Sequence, residues 1–208
     1  MFDAIITVKV GPSKKSFHSH KGVLSFYSGY FAAALNGNFA ESKCGVVHLP
    51  DEDPKIFELL VNWLYTRRLP DPPKSGDLFT TLSELWILAD RREIPMLANA
   101  VLNAIRDETT RLWKVPTVDL PKIYKDTMES SGLRRLAVHL IASTSGPRII
   151  TDENKAKWPV EAVWDVLNFV WKMQKEGAKS LDKKACAEMD MCAFHMHEEG
   201  ARCPKAGS

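Results

Sequence analysis

The sequence predicts an α+β fold, in which a small β-sheet with helical hairpins is followed by an all-α C-terminal region. Three observations predict it. Apolar and polar side chains alternate near the N-terminus, as they do in a half-buried strand. In most later segments, apolar side chains recur at the three- and four-residue spacing of a helix. Of the 208 residues, 45% are hydrophobic and 26% are charged, which is ordinary for a folded protein.

Three strands are expected in the first fifty residues, two near the N-terminus and one shortly before Pro50. The first strand carries four apolar residues on one face, Ala4, Ile6, Val8 and Val10. The Gly-Pro-Ser segment at 11–13 ends it, and residues 16–19 are expected to return as the second strand of a hairpin. Residues 46–49 are apolar and are ended by Pro50, which fits a further strand.

Helices are expected between and after these strands. Residues 21–35 have mixed apolar spacing interrupted by Ser25 and Ser28, which predicts two short helices. Asp53 followed by Pro54 is typical of a capped helix start, and this helix is expected to end near Thr66. Its predicted buried stripe consists of Phe57, Leu60, Val61 and Leu64.

A loop and two longer helices are expected to complete the first 108 residues. Prolines and a glycine in residues 69–76 predict the loop, because proline removes a backbone donor and glycine relaxes the chain. Helical spacing in residues 78–89 and 97–105 predicts the two helices, the second of which begins after Pro95.

The second region is expected to be all helical. Helical patterns cover residues 120–128 and 133–142, and the Ser-Thr-Ser-Gly-Pro segment at 143–147 interrupts the chain. Pro159 is expected to open a further helix that stops at Gly177. Its predicted buried side consists of Val160, Val163, Trp164, Leu167, Val170 and Trp171. Core packing is also expected for Trp63 and Trp86.

Charge and hydropathy narrow the classes of function. The net charge is +2, from 28 basic and 26 acidic residues, so no overall positive field would attract a nucleic acid. No apolar run reaches the roughly 18 residues of a membrane span, and the first residues lack the pattern of a signal peptide. We therefore expect a soluble protein of the cytoplasm or nucleus that binds neither nucleic acid nor membrane.

The sequence contains no recognisable catalytic motif. A Gly-rich phosphate loop, an H-E-x-x-H motif and a G-x-S-x-G motif are all absent. Cys44 and Cys192 lack flanking residues that would mark a nucleophile beside a histidine. The sequence therefore predicts that the protein is not an enzyme.

Four strings in the first half of the chain resemble those of the BTB/POZ family. They are F-x-x-H-K-x-x-L from Phe17, S-x-x-F from Ser28, F-x-E-S followed by v-x-L-x-D from Phe39, and F-x-x-x-x-x-W-L-Y-T from Phe57. We expect a BTB/POZ domain over residues 1–108, a helical C-terminal region over 109–180 and a Cys/His-rich tail over 181–208. Residues 131–138 resemble fungal BTB proteins in particular.

The resemblance implies a protein-interaction module that dimerises or recruits a partner. Many BTB proteins are substrate adaptors for cullin-type ubiquitin ligases and make this contact through an apolar residue, any residue and a glutamate. Phe39-Ala40-Glu41 matches that pattern, with Phe39 as an anchor for an apolar pocket and Glu41 as a charged contact. The alternative is that Phe39 packs in the core and Glu41 is a solvated turn residue.

Two further features of the resemblance concern dimer formation and a charged pocket. Family members that exchange an N-terminal strand have residues before the first core strand, whereas Asp3 already lies at that strand, so an exchanged strand is not expected. Asp3, His20 and Lys21 occupy the positions of a pocket by which some nuclear members recruit co-repressors. The alternative is that these charges satisfy one another as a partly buried pair.

Three of the four cysteines lie in residues 186–203, together with two histidines. Cys186, Cys192, His195 and Cys203 form a candidate zinc site, since three thiolates and one imidazole suit the tetrahedral geometry of zinc. His197 is the alternative to His195, because residues two apart share a face on a strand but not on a helix. The plainer alternative is a set of small buried cysteines with surface histidines.

Two function hypotheses follow. The first is a BTB adaptor or scaffold that forms a homodimer, recruits a protein such as a cullin-type scaffold, or does both. The second is a zinc-stabilised structural or transcription-regulatory protein that works through its Cys/His tail.

Overall fold

The computed structural model describes residues 4–71, 78–144, 149–197 and 203. The chain divides into two compact units. The first comprises residues 1–76 and 84–100, and the second comprises residues 77–83 and 101–208. All described strands lie in the first unit, so the predicted α+β class is confirmed.

The first unit contains a three-stranded sheet in the order β2-β1-β3. Its strands are β1 (Ile5–Val10), β2 (Lys15–His20) and β3 (Val46–Leu49). β1 pairs antiparallel with β2, which sets Val8 opposite Phe17. On its other edge β1 pairs parallel with β3, which sets Val8 opposite Val47.

The alternation of residue types explains the faces of β1. Ile6, Val8 and Val10 are buried, whereas Ile5 on the opposite face is 65% exposed. Gly11 turns the chain after β1 with a φ of +72°, a left-handed conformation that glycine adopts at little cost. The predicted hairpin is therefore confirmed.

Short helices follow the hairpin in the first unit. They are α1 (Lys21–Tyr27), α2 (Gly29–Asn36), α3 (Ala40–Cys44) and α4 (Pro54–Thr66). The Ser28 hydroxyl caps α2, and Asp53 caps α4 by accepting hydrogen bonds from two backbone N–H groups. α4 ends at Thr66 as predicted. α3 was not predicted, because its five residues carry no apolar stripe.

Two longer helices, α5 (Leu78–Arg91) and α6 (Pro95–Leu112), contribute residues to both units. The core of the first unit includes Val8, Leu24, Phe31, Leu35, Phe57, Leu60 and Trp86, all of which are almost fully buried. Phe57 in the first turn of α4 meets Phe17 of β2 edge to face, with ring centroids 5.0 Å apart. This pair packs α4 against the sheet.

A buried ion pair fastens the turn before α4 to the chain after α5. Glu52 is 7% exposed, and its carboxylate accepts a hydrogen bond from Arg92 Nη2 at 2.5 Å. The Arg92 guanidinium also lies over the Tyr30 ring, 4.5 Å from its centroid. The Arg92 carbonyl accepts a hydrogen bond from the Ser28 hydroxyl at 2.5 Å. Arg92 therefore connects three segments of the first unit.

The second unit is helical in the part that the structure describes. It contains α7 (Leu120–Asp126), α8 (Gly132–Thr144), α9 (Val160–Glu176) and α10 (Lys183–Ala187), with 3-10 turns at Thr117–Asp119 and Lys155–Lys157. The predicted stop of α9 is confirmed, because Gly177 caps it with a φ of +65°. None of the described helices is both long enough and apolar enough to cross a membrane.

The buried side predicted for α9 is wrong. Val160, Trp164 and Trp171 are 81%, 57% and 53% exposed, and Val163 and Leu167 are also exposed. Only Val170 of the predicted stripe is half-buried. Trp63 and Trp86 are buried as expected, so core packing holds for two of the four tryptophans concerned.

A different face of α9 packs inward because it carries a small residue and a hydrogen-bonding one. Ala162 is fully buried, and Val166 packs beside it against a cluster of Leu120, Ala137, Ile141 and Trp158. Asp165 accepts a hydrogen bond from the Tyr124 hydroxyl at 2.7 Å. Close approach at alanine and this hydrogen bond together select the face opposite to the one that hydrophobicity favours.

Candidate functional site

Phe39 lies on the surface between α2 and β3. Its side chain is 60% exposed, so the alternative that it packs in the core is wrong. It is the N-cap residue of α3, and its carbonyl accepts a hydrogen bond from the Ser42 hydroxyl at 2.7 Å. Gly37 lies against the ring, since a Cβ added there would come within 3.0 Å of Phe39 Cδ2 and 2.7 Å of the Ala33 carbonyl oxygen. The ring position thus depends on the absence of a side chain at residue 37.

Glu41 lies in the first turn of α3 and is half-buried. The helix dipole favours a carboxylate in that turn. Gly45 ends the helix with a φ of +67° and donates its N–H to the Glu41 carbonyl at 2.9 Å. Among the residues that the structure describes, the Glu41 carboxylate has no ion-pair partner.

His20 is already engaged by a residue that the sequence did not single out. The Tyr65 hydroxyl accepts a hydrogen bond from the His20 backbone N–H at 3.0 Å, and its oxygen shares a second hydrogen bond with His20 Nδ1 at 2.9 Å. Lys21 is half-buried at the start of α1, and Asp3 lies outside the described residues. Tyr65 lies in the W-L-Y-T string, but its contact with His20 is distant in sequence and leaves no local pattern.

The Cys/His tail brings together three ligand-type side chains. The sulfur atoms of Cys192 and Cys203 and one ring nitrogen of His197 all lie within 4.8 Å of one another. His197 Nε2 is 3.4 Å from Cys192 Sγ and 3.6 Å from Cys203 Sγ. The Cys203 backbone N–H donates to Cys192 Sγ at 3.3 Å. Burial and the hydrogen bond with Cys192 raise the pKa of the Cys203 thiol.

His195 adjoins this group on one side and α6 on the other. Its Nδ1 lies 3.0 Å from Cys203 Sγ, and its Nε2 lies 3.0 Å from Asn103 Oδ1. Burial, followed by the neighbouring charges of His197 and Arg106, lowers the pKa of His195. Both histidines therefore lie beside Cys203, but only His197 belongs to the cluster of three ligand atoms. The sequence argument that only one of them could bind a metal compared a strand with a helix, whereas residues 195–197 belong to neither.

Cys186, which the sequence grouped with these residues, lies elsewhere. It is fully buried in α10, and its sulfur accepts a hydrogen bond from the Thr110 hydroxyl at 3.4 Å. Helix formation at 183–187 holds this thiol in the core of the second unit, away from Cys192. The cluster of Cys192, His197 and Cys203 therefore lacks Cys186, and it contains His197, which the sequence offered as the alternative to His195.

The segment that carries the cluster packs on α8. Met191 and Phe194 are 5% and 8% exposed, and the Phe194 ring meets His139 at a centroid distance of 5.4 Å. A Cβ at Gly132 would lie 2.2 Å from the Phe194 carbonyl oxygen, so only glycine permits this approach. Sequence reasoning missed Gly132 and Asn103, and neither carries a local signal for a contact so far along the chain.

The small sheet and the helical pairs that follow it agree with the fold that the sequence strings predict. The family model for the BTB/POZ domain matches residues 1–108. The chain belongs to the BTB/POZ family, and the resemblance in its sequence strings is confirmed.

Three curated relatives are similar to parts of this chain. A BTB/POZ domain-containing protein of Arabidopsis thaliana is 30% identical over 86 residues, which is 41% of this chain and 10% of that protein. Kelch-like protein 30 of Homo sapiens is 39% identical over 66 residues, or 32% of this chain and 11% of that protein. BTB/POZ domain-containing protein 6 of Xenopus laevis is 32% identical over 96 residues, which is 45% of this chain and 17% of that protein. The matched segments are thus a small part of each relative.

Proposed function

We propose that this protein is a BTB adaptor or scaffold in which Phe39 and Glu41 recruit a partner such as a cullin-type ubiquitin ligase scaffold. One observation carries the proposal. A phenylalanine that is 60% exposed stands two residues from a glutamate without an ion-pair partner in the described chain. Aromatic side chains supply much of the binding energy of an interface when a pocket on the partner encloses them.

The local backbone supports this role because it presents both side chains in a fixed arrangement. Ser42 holds the Phe39 carbonyl, Gly37 lies against the ring, and Gly45 closes α3 immediately after the motif. A segment that is ordered before it binds loses less conformational entropy on binding. The charge of Glu41 adds orientation and selectivity, since a misplaced partner would leave it buried without a counter-charge.

Homodimer formation belongs to the same proposal. Ile5 of β1 is 65% exposed, and a dimer would cover apolar surface of this kind in the first unit. The fungal type of the domain, and a location in the cytoplasm or nucleus, also remain predictions that accompany this role.

Replacement of Phe39 with alanine is expected to weaken partner binding at least ~30-fold, the equivalent of about 2 kcal/mol for an anchor residue. Loss of the ring removes apolar contact without changing charge. The dissociation constant of the purified chain for each member of a panel of purified cullin-type scaffold proteins measures this effect. Glu41→Gln is expected to weaken the same complex by a smaller factor, because the side chain keeps its shape and loses its charge.

Met96→Ala is the matched control, because Met96 is 57% exposed in the same unit and lies outside the motif. This variant is expected to bind within about twofold of wild type. Equal binding by Phe39→Ala and wild type would exclude Phe39 as the anchor. Failure of the wild-type chain to bind any member of the panel would exclude the cullin-type partner itself.

A further inference from the structure

We propose that Cys192, His195, His197 and Cys203 form a zinc site that fixes the C-terminal tail on the second unit. Two thiolates and two imidazoles are a ligand set that zinc binds in tetrahedral structural sites. Soft sulfur ligands also disfavour Mg²⁺ and Ca²⁺, which prefer oxygen. The site is independent of the partner contact proposed for Phe39.

The spacing of the ligand atoms fits one metal ion. Zinc bonds of about 2.0–2.3 Å place neighbouring ligands of a tetrahedron about 3.3–3.8 Å apart. His197 Nε2 lies 3.4 Å and 3.6 Å from the two sulfur atoms, within this range. The distance from His195 Nδ1 to Cys203 Sγ is slightly shorter, at 3.0 Å. The ligand atoms of Cys192, His197 and Cys203 therefore already lie close enough to share one ion. His195, which contacts Cys203 but is not part of that group of three, would move toward the other two to complete the site.

Asn103 provides a second, independent observation. Its side-chain oxygen lies 3.0 Å from His195 Nε2 and can only accept a hydrogen bond, which assigns the ring proton to Nε2. The lone pair on Nδ1 is then directed at Cys203. A histidine that ligates a metal almost always donates its other N–H to such an acceptor, which fixes the tautomer and the ring orientation. The contact with Asn103 gives His195 this arrangement.

The packing of the tail explains what the metal would contribute. The ligands flank or follow Phe194, whose backbone passes directly over Gly132 and whose ring is buried. No regular helix or strand is described after α10, so few backbone hydrogen bonds hold this segment. Zinc bound to ligands between residues 192 and 203 would stabilise the conformation of this segment, as it does in small domains with little core of their own.

Titration of the metal-free 208-residue chain with zinc tests the proposal without any substitution. Competition with a chromophoric chelator is expected to give one bound zinc per chain. Cobalt in place of zinc is expected to give the visible absorption of a tetrahedral ion with thiolate ligands. Absence of stoichiometric zinc, or cobalt spectra without thiolate bands, would overturn the proposal and leave thiol–imidazole hydrogen bonds as the account of the cluster.

Substitutions then identify the ligands. Cys192→Ser and Cys203→Ser are each expected to weaken zinc binding on the order of 100-fold or more, because a hydroxyl is a poor ligand for this ion. Asn103→Ala is expected to weaken it by about 10–100-fold although it removes no ligand. Cys186→Ser is the matched control and should retain zinc. Loss of zinc in the control with retention in Cys192→Ser would assign the metal to a different set of residues and refute this one.

Discussion

Replacing Glu52 with alanine is expected to lower the free energy of unfolding by about 3–5 kcal/mol. Glu52 is 7% exposed, and the side chain of its partner Arg92 is only 15% exposed. Alanine would leave the Arg92 guanidinium in the interior without its counter-charge. The desolvation cost of that guanidinium, which the ion pair offsets in the wild-type protein, would then count in full against the folded state.

Glu58→Ala is the matched control for this prediction. Glu58 pairs with Lys15 at 2.8 Å, but both side chains are about half exposed, so this surface pair is expected to contribute less than about 1 kcal/mol. Equilibrium unfolding in urea measures both variants against wild type. The loss of unfolding free energy for Glu52→Gln should lie between those of Glu52→Ala and Glu58→Ala, because glutamine keeps the hydrogen-bond acceptor and removes the charge. Equal losses at Glu52 and Glu58 would contradict a stabilising buried pair.

The second large effect is expected from Phe57→Ala, which should lower the free energy of unfolding by about 3–5 kcal/mol. Phe57 is fully buried and packs edge to face on Phe17 of β2. The substitution removes apolar contact and leaves a cavity between α4 and the sheet. Neither the sheet nor the helix can close this cavity without losing other contacts. Urea unfolding, followed by circular dichroism, measures the loss.

Phe26→Ala provides the comparison, since the same atoms are removed from a ring that is 68% exposed. The Phe26 substitution is expected to change the free energy of unfolding by no more than about 0.5 kcal/mol, as most surface substitutions do. A loss at Phe26 as large as that at Phe57 would show that burial in the described core does not set the stability of the first unit.

The sequence predicted the elements of the first unit wherever a local pattern had one physical cause. Alternating residues in β1 and the cap at Asp53 each determine a short stretch of backbone without help from the rest of the chain. α3 could not be predicted this way. It is five residues long, and its ends depend on the left-handed Gly45 and on packing after α2.

The face of α9 shows where such patterns stop being informative. Helical spacing identifies a stripe, but two stripes compete for burial, and the one with Trp164 and Trp171 is the more hydrophobic. Ala162 and Asp165 lie on the side that packs, since a small residue permits close approach and a carboxylate reaches a donor on α7. Neither property is visible in a measure of hydrophobicity.

The candidate sites were predicted in part. The string around Phe39 identified a segment that is exposed in the structure. The contact between His20 and Tyr65 could not be predicted, because the two residues lie far apart in the sequence. In the tail, the residue types were sufficient to suggest a metal. The residue types could not predict which side chains form the cluster. That depends on α10, which buries Cys186, and on the irregular chain that carries both histidines.

The parallel pairing of β1 with β3 also has a consequence for the order of folding. The β1–β2 hairpin forms from neighbouring residues, but β3 reaches β1 only after the chain that contains α1, α2 and α3 has closed into a loop. Contacts so distant in sequence form late and slowly. Phe39 and Glu41 lie within this loop, so the surface that we propose to bind a partner would form only when the sheet is complete. Incompletely folded molecules would thereby be kept from premature assembly.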